Sequence, residues 1–337
     1  MYSIVIDGRD ESFPCSPDDS LLRGGLRAGL GLPYECSTGS CGTCKFDLLD
    51  GKTENLWPES PGLSERDLRK DRRLACQNRP LGDCTIKMRI DPDATPKILP
   101  RRNLVRLVES RQLTHDMREF RFEAESKAEF LPGQYALFTL PGVTGLRAYS
   151  MANLSNDTGA WNFHIKNMPG GAGSHALFDG VVAPGQMVEM DGPYGLAFLR
   201  ESPRDIVCIA GGSGLSPMVS IARGFAENTY FSDRRLHFFF GGREPRDICG
   251  EELLAELPAF AERMSYYAAI SEPTVSAEAW TGSRGFVHEL AAQTLDGDLA
   301  DFEFYFAGPP VMAESVQRML MREHKVPFAQ LHFDRFF

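Results

Sequence analysis

The sequence predicts a multi-domain chain in which a small α+β unit precedes an antiparallel β-barrel and a doubly wound α/β domain. Three observations predict it. The 337 residues fit two or three domains at roughly 150 residues each. The stretch "DPDATPKILPRRN" at 91–103 carries three prolines and a basic cluster with little apolar periodicity, the composition of an exposed linker. Short β-rich segments between Gly and Pro turns then give way near residue 205 to strand–helix alternation, the pattern of a parallel sheet covered by helices. The expected boundaries are 1–93, 101–201 and 202–337.

In the first unit, apolar alternation over Tyr2–Ile6 predicts a strand. Asp18, Asp19 and Ser20 can cap a helix whose Leu22, Leu26 and Leu30 recur on one face, and "GLGLPYE" stops it. Strands are expected at 45–49 and 85–90, with a short polar helix near 64–70. Beyond the linker, residues 104–109, 117–123, 135–140, 161–166 and 187–190 are rich in β-formers. From Asp205, "IVCIA" is a continuous apolar run suited to a buried parallel strand, followed by a glycine loop and a helix-compatible segment from Pro217. Further strands are expected at 236–240, 265–270 and 302–307, with helices over 251–261 and 311–323.

Composition excludes several functions. With 36 Lys and Arg against 46 Asp and Glu, the net charge is −10, which opposes nucleic-acid binding because that needs a basic face. No apolar run approaches the ~18 residues of a membrane span, so no membrane insertion is expected. The eight cysteines are too sparse for a disulfide scaffold, and "MYSIVIDGRD" does not read as a signal peptide, so a cytoplasmic setting is expected.

Four of those cysteines stand together. Cys36, Cys41 and Cys44 form C-x4-C-x2-C, and Cys76 follows after 31 intervening residues, the spacing with which four thiolates hold a plant-type [2Fe–2S] cluster. Gly39 and Gly42 would let the loop wrap closely around it. A structural zinc site is the competing reading, although such sites favour two C-x2-C pairs and only one occurs here; four inert buried thiols are the other. Cys208 lies in an apolar strand and reads as a packed small hydrophobe, and Cys15, Cys84 and Cys249 have no local base or metal partner.

Several strings further on carry a resemblance. "LRAYSMAN" contains R-x-Y-S; "FHIKNMPGGAGSHAL" joins a strand to a glycine-rich turn and helix; "IAGGSGLSPM" is a strand, glycine loop and helix start without the G-x-G-x-x-G fingerprint. Helix-start N–H groups and close backbone approach at glycine suit a phosphate, while a glycine-rich hairpin without a ligand is the bland alternative. On these strings, with "NLWPESPGLSERDLRK" and the final "HFDRFF", the first segment resembles plant-type ferredoxins and residues 100–337 resemble the ferredoxin–NADP reductase superfamily. Together they resemble the NAD(P)H-dependent reductase components of bacterial multicomponent aromatic oxygenases, most of all those of toluene and xylene monooxygenases.

The resemblance implies a β-grasp ferredoxin domain, an FAD-binding barrel and an NAD-binding domain. It implies that Arg147 pairs with the flavin pyrophosphate, that Tyr149 packs on the isoalloxazine and that Ser150 bonds near N5. His164, Ile165 and Lys166 match the strand beside the flavin, and Gly171, Gly173 and Ser174 the turn that receives the pyrophosphate. Gly211, Gly212, Ser213 and Gly214, with Ser216 as a further hydroxyl donor, match the loop for the nicotinamide cofactor's phosphates. Arg243 and Arg246 could read a 2′-phosphate, but Glu244 and Asp247 beside them favour a free ribose, and NADH is expected over NADPH. Gly308 and Pro309 keep the turn of a Cys-Gly-Pro-Pro motif in which this chain has Ala307 for the cysteine, a departure that bears on how tightly nicotinamide is held. Asp334 and Phe336 match an acidic residue near the hydride-transfer site and an aromatic near the flavin.

The implied activity is a relay. NADH gives up two electrons as hydride, an iron–sulfur cluster accepts one at a time, and FAD converts between them. The expected partner is an oxygenase component or its Rieske ferredoxin, docking at the cluster loop around 37–43, with acidic patches there steering a basic partner face; a monomer is expected. The alternatives are a reductase of the same domain order in deoxysugar biosynthesis and a non-enzymatic flavin and iron–sulfur redox sensor.

Overall fold

The computed structural model describes residues 1–272 and 280–337. Its first sheet has the strand order Ser12–Cys15, Tyr2–Ile6, Cys84–Lys87, Lys45–Asp50, Arg72–Leu74. Tyr2–Ile6 and Cys84–Lys87 run parallel and the other neighbours antiparallel, and the helix Leu21–Arg27 packs against this mixed sheet as in a β-grasp domain. Ser20 caps that helix by accepting from Arg23 N–H, and Leu21, Leu22 and Leu26 are fully buried. Leu30 is not on it, because Gly29 takes φ +82° and turns the chain away. The polar helix is Glu65–Arg69, with Ser64 and Asp67 in a reciprocal capping box.

The stretch read as a linker is shorter than its composition indicates, because the strand Arg101–Thr114 begins inside it and runs fourteen residues. That strand belongs to a six-stranded antiparallel sheet ordered Arg147–Ser150, Tyr135–Thr139, Met187–Tyr194, Arg101–Thr114, Met117–Glu123, Ala160–Lys166. A bridge between Met151 and Phe163 brings its two edges together. Phe122, Phe138 and Phe163 fill its interior with ring centroids 5.0–5.9 Å apart.

The third sheet is wholly parallel, in the order Ser283–Arg284, Met264–Ile270, Leu236–Gly242, Asp205–Gly211, Phe302–Gly308, Leu331–Arg335. The strand order reverses beside Asp205–Gly211, and ligands of open α/β sheets bind at the carboxyl ends of strands at such a point. The helix expected over 251–261 is two pieces, Glu251–Ala255 and Phe260–Arg263, because Pro258 stands between them and has no N–H to give. The helix Pro310–Arg318 passes into a wider π-turn over Met319–Glu323. The strands Ser283–Arg284 and Leu331–Arg335 of this sheet are missed by periodicity; the second sets Asp334 opposite Ala307.

Polar contacts join the three units. Asp19 binds Arg23 and Arg27 at 2.7 and 2.8 Å, and Arg27 reaches across to Asp191 on the barrel at 2.5 Å. Burial opposes ionisation of Asp19, but Arg23 and Arg27 outweigh it and hold the carboxyl below its ordinary range. From the helix Leu215–Glu227, Ser216 Oγ donates to the Ser150 carbonyl at 2.6 Å, Ser220 Oγ to that of Asn153 at 2.8 Å, and Arg223 to that of Ala152 at 2.7 Å. Among the described residues no helix is long and apolar enough to cross a membrane.

Candidate electron-transfer site

The four predicted cysteines converge. Cys36 Sγ and Cys41 Sγ are 3.3 Å apart, Cys44 and Cys76 are buried beside each other, and Ala75 N–H donates to the Cys44 carbonyl at 2.9 Å. The S–H of Cys41 holds the Cys36 thiol below its ordinary range, and Cys76 does the same for Cys44, so that one sulfur of each pair ionises before its partner. Backbone N–H groups of Cys41 and Thr43 point at Cys36 Sγ and Cys41 Sγ at 3.3 and 3.5 Å. Gly39 and Gly42 have φ +100° and +75°, and a Cβ on Gly42 would stand 2.3 Å from the Gly62 carbonyl oxygen. Two thiol pairs, a loop closed by glycine and N–H donors on sulfur fit a two-iron cluster. The loop is not wholly outward, however: Ser37 and Gly39 are buried, and Tyr135 Oη donates to Ser37 Oγ or the Glu35 carbonyl, at 2.8 and 2.6 Å.

Behind the loop lies a cavity of about 880 Å³ whose walls include Cys36, Cys76, Arg147, Tyr149, Ser150, His164, Ile165, Lys166, Gly171, Gly173, Ser174, Ser213, Asp334 and Phe336. The predicted flavin residues are thus gathered around one space. Gly173 has no room for a side chain, since a Cβ would meet Arg147 Cγ at 2.7 Å and Tyr149 Oη at 2.9 Å. Among the described residues the Arg147 guanidinium bonds the carbonyls of Thr144 and Leu146, and Tyr149 stacks edgewise on Phe138. His164 Nε2 faces Glu119 at 3.1 Å; burial favours the neutral imidazole, so Nε2–H donates to the carboxylate, and Nδ1 is buried with no partner among the described residues. Asp334 Oδ2 is a second such orphan. Burial, then the charges of Glu35 and Cys36, push that carboxyl up to about 8. Orphaned polar atoms and a glycine cradle on a cavity of this size fit a large polar cofactor such as FAD.

The dinucleotide loop is built differently from its sequence reading. Gly214 and Gly211 serve packing, since a Cβ on Gly214 would stand 1.9 Å from the Ala307 carbonyl oxygen and one on Gly211 2.5 Å from Met312 Sδ. Gly212, at φ +56°, would bring a Cβ only into ordinary contact with Lys166 Cδ at 3.7 Å, and Gly308 lies against Gly211; Pro309 stands at the N-cap of the following helix. Ser216 is fully committed between Ser150 and His164 N–H, which it accepts at 3.0 Å, so its hydroxyl joins domains. Asp247 accepts from the N–H groups of Arg243 and Glu244 at 3.1 and 2.9 Å and lies 3.7 Å from Lys166 Nζ, while the Arg243 side chain is mostly exposed, 3.6 Å from Glu272. Phe336 is fixed through its N–H to the Gly308 carbonyl at 2.9 Å. Sequence reasoning missed Tyr135, Glu119 and the Glu35–Arg335 pair; Tyr135 lies within "PGQYALF", but nothing in that string announces a contact to residues a hundred positions earlier.

Three family models match in chain order: the 2Fe-2S iron-sulfur cluster binding domain over 4–81, the oxidoreductase FAD-binding domain over 104–198 and the oxidoreductase NAD-binding domain over 208–318. A ferredoxin–NAD(P)+ reductase of Metapseudomonas resinovorans is 40% identical, covering 100% of both chains. The chain belongs to the ferredoxin–NAD(P)+ reductase family. The reductase is also 39% identical to the ferredoxin–NAD+ reductase component of an alkene monooxygenase system of Xanthobacter autotrophicus, over 98% of each chain. It is 30% identical to the xylene/toluene monooxygenase electron transfer component of Pseudomonas putida, over 99% of this chain and 94% of the other. The likeness to toluene and xylene reductases is therefore real, but these other two relatives are nearer. Among solved structures, the ferredoxin reductase in carbazole 1,9a-dioxygenase superposes with TM-score 0.90 at 38% identity, covering 100% and 98% of the two chains. The reductase is an oxidoreductase of [2Fe–2S], FAD and NAD-binding units, with relatives that are electron-transfer components of oxygenase systems. Those relatives favour this reading over the deoxysugar and sensor alternatives.

A bound FAD would supply the chemistry that converts a two-electron hydride into single electrons. The chain supplies position: Cys36, Cys41, Cys44 and Cys76 would hold the cluster, the strand ending at Ser150 and the turn at Gly173 would hold the flavin, and the loop at Ser213 opens on the same cavity.

Proposed function

We propose that this protein carries electrons from NADH, through FAD and its own [2Fe–2S] cluster, to the oxygenase component of a multicomponent oxygenase or to that component's intermediate ferredoxin. One observation carries the reading: a single cavity is bounded by two cluster thiols, the R-x-Y-S strand, Ser213 of the glycine loop and the residues from Asp334 to Phe336. Within it, the residues named above for flavin and nicotinamide are the proposed binding set, Asp334 and Phe336 the proposed neighbours of hydride transfer with Ser150, and 1–93, 101–201 and 202–337 the proposed units. NADH is preferred because the carboxylates held at the second loop, Asp247 by two backbone N–H groups and Glu244 beside Arg246, oppose a 2′-phosphate. The relatives are named as components of alkene, xylene/toluene and phenol monooxygenases and of an anthranilate dioxygenase, which supports an oxygenase partner; a cytoplasmic monomer is part of the proposal.

The test is the purified holoprotein. NADH should reduce ferricyanide, an acceptor of flavin electrons, and cytochrome c through the cluster, with kcat/KM for NADPH well below that for NADH. A preparation replete in iron and FAD yet inert to both nucleotides would overturn the reading.

A further inference from the structure

The cluster loop has two sides. Cys36 and Cys76 border the flavin cavity, whereas Cys41 does not; its neighbour Gly42 packs on Gly62, and Thr43 is exposed. Electrons arriving from the flavin meet the first side, so an external acceptor has to approach by the second. What stands there is the segment that begins at Gly62. It is tied to the ligands: a Cβ on Gly62 would lie 2.8 Å from Gly42 N, and Lys45, next to Cys44, binds Asp67 at 2.8 Å.

The charge of that segment runs against the rest of the chain. Residues 65–73, "ERDLRKDRR", hold five cationic side chains against three carboxylates in a protein of net charge −10. One of the carboxylates, Asp67, is buried and faces inward to Lys45, Arg72 and Ser64. Arg66 and Lys70 are exposed and make no ion pair among the described residues. Leu68 between them is 54% exposed. It borders a groove of about 250 Å³ whose walls also include Leu63, Arg72 and Arg73, three residues short of the ligand Cys76. Arg72 and Arg73 are held on the groove wall by Asp67 and Asp71, and Arg66 and Lys70 stand on the same segment on either side of Leu68, an arrangement of apolar residues and free cations that suits an apolar side chain flanked by carboxylates.

Resting on the reductase reading, we propose that the face formed by Arg66, Leu68, Lys70 and this groove is where the electron acceptor docks, and that the acceptor presents an acidic protein surface to it. This reverses the expectation that an acidic patch near the cluster steers a basic partner. The acidic remainder of the chain repels such a partner from other approaches, so the local basic face sets orientation as well as encounter rate.

The experiment compares wild-type holoprotein with the Arg66→Glu, Lys70→Glu double variant. Both are reduced with dithionite and mixed rapidly with oxidised cytochrome b5, which is acidic, or cytochrome c, which is basic. Unchanged visible absorption of the cluster and flavin establishes that the variant is folded. The expected result is a rate to cytochrome b5 that falls with salt in the wild type and is about tenfold or more lower in the variant at low salt, while the rate to cytochrome c does not fall. An unchanged rate to cytochrome b5, or an equal fall for both cytochromes, overturns the proposal. NADH-driven ferricyanide reduction is measured alongside; its absence in the wild type would overturn the reductase reading while leaving the dithionite comparison to decide the docking face.

Discussion

The guanidinium of Arg335 grips the carboxylate of Glu35 with two hydrogen bonds, Nε to Oε1 at 2.8 Å and Nη2 to Oε2 at 2.6 Å, across 300 residues of sequence. Glu35 precedes the cluster ligand Cys36, and Arg335 stands between Asp334 and Phe336, so the fork ties the start of the cluster loop to the end of the nicotinamide domain. Arg335→Ala removes charge-assisted bonds worth about 1.5–3 kcal/mol. The expected outcome on rapid mixing with NADH is a slower reduction of the cluster relative to the flavin. Arg335→Lys should recover only part of the loss, because an ammonium keeps the charge without the fork. A cluster phase unchanged in Arg335→Ala would refute this positioning role.

Gly42 tests the closure of the cluster loop. Gly42→Ala places a Cβ 2.3 Å from the Gly62 carbonyl oxygen, backbone that cannot yield as a flexible side chain would. Gly142 has a similar φ, +72°, with open space beside it, so Gly142→Ala carries only the left-handed strain of about 1–2 kcal/mol. Iron and acid-labile sulfide per chain should fall sharply in Gly42→Ala and stay level in Gly142→Ala, with FAD content retained in both.

Asp19 gives the docking of the ferredoxin domain a pH dependence. Its carboxyl lies below the ordinary range in the folded protein, so the stability it confers is fully present above the unfolded value near 3.9 and is lost as pH falls through the depressed folded value. Breaking this buried pair in Asp19→Asn should cost about 3–5 kcal/mol. The difference in Tm between wild type and variant should therefore be level from about pH 5 to 8 and close in stronger acid. A difference that widened on acidification would contradict the assignment.

What was legible in the sequence was what local chemistry constrains. The spacing of Cys36, Cys41, Cys44 and Cys76, the R-x-Y-S string and the glycine loop after "IVCIA" each impose a backbone or ligand requirement within a few residues, and the structure gathers them. Pairings between distant residues left no trace: neither Arg27 with Asp191 nor Glu35 with Arg335 is marked by periodicity or motif. Leu331–Arg335 was missed because His332, Asp334 and Arg335 interrupt its apolar pattern; two of those polar side chains meet Glu303 and Glu35 across the fold. The glycines of 211–214 read as making space for phosphate; two of them also make space for Ala307 and Met312, a demand visible only once the neighbouring strand is in place.

Ser216 separates packing from cofactor retention. Its hydroxyl, 1% exposed, donates to the Ser150 carbonyl and accepts the His164 N–H, linking two strands of the flavin cavity to the helix behind the dinucleotide loop. Ser216→Ala removes both of these bonds from a buried interface, a loss of about 1–3 kcal/mol. Ser220, one turn on, bonds the Asn153 carbonyl, and among the described residues neither serine borders the cavity. Both alanine variants should lower Tm, but only Ser216→Ala should also weaken FAD binding, measured by flavin fluorescence on dilution, because it alone frees Ser150 and His164 to shift. Equal FAD affinity in the two variants would reduce Ser216 to a packing contact.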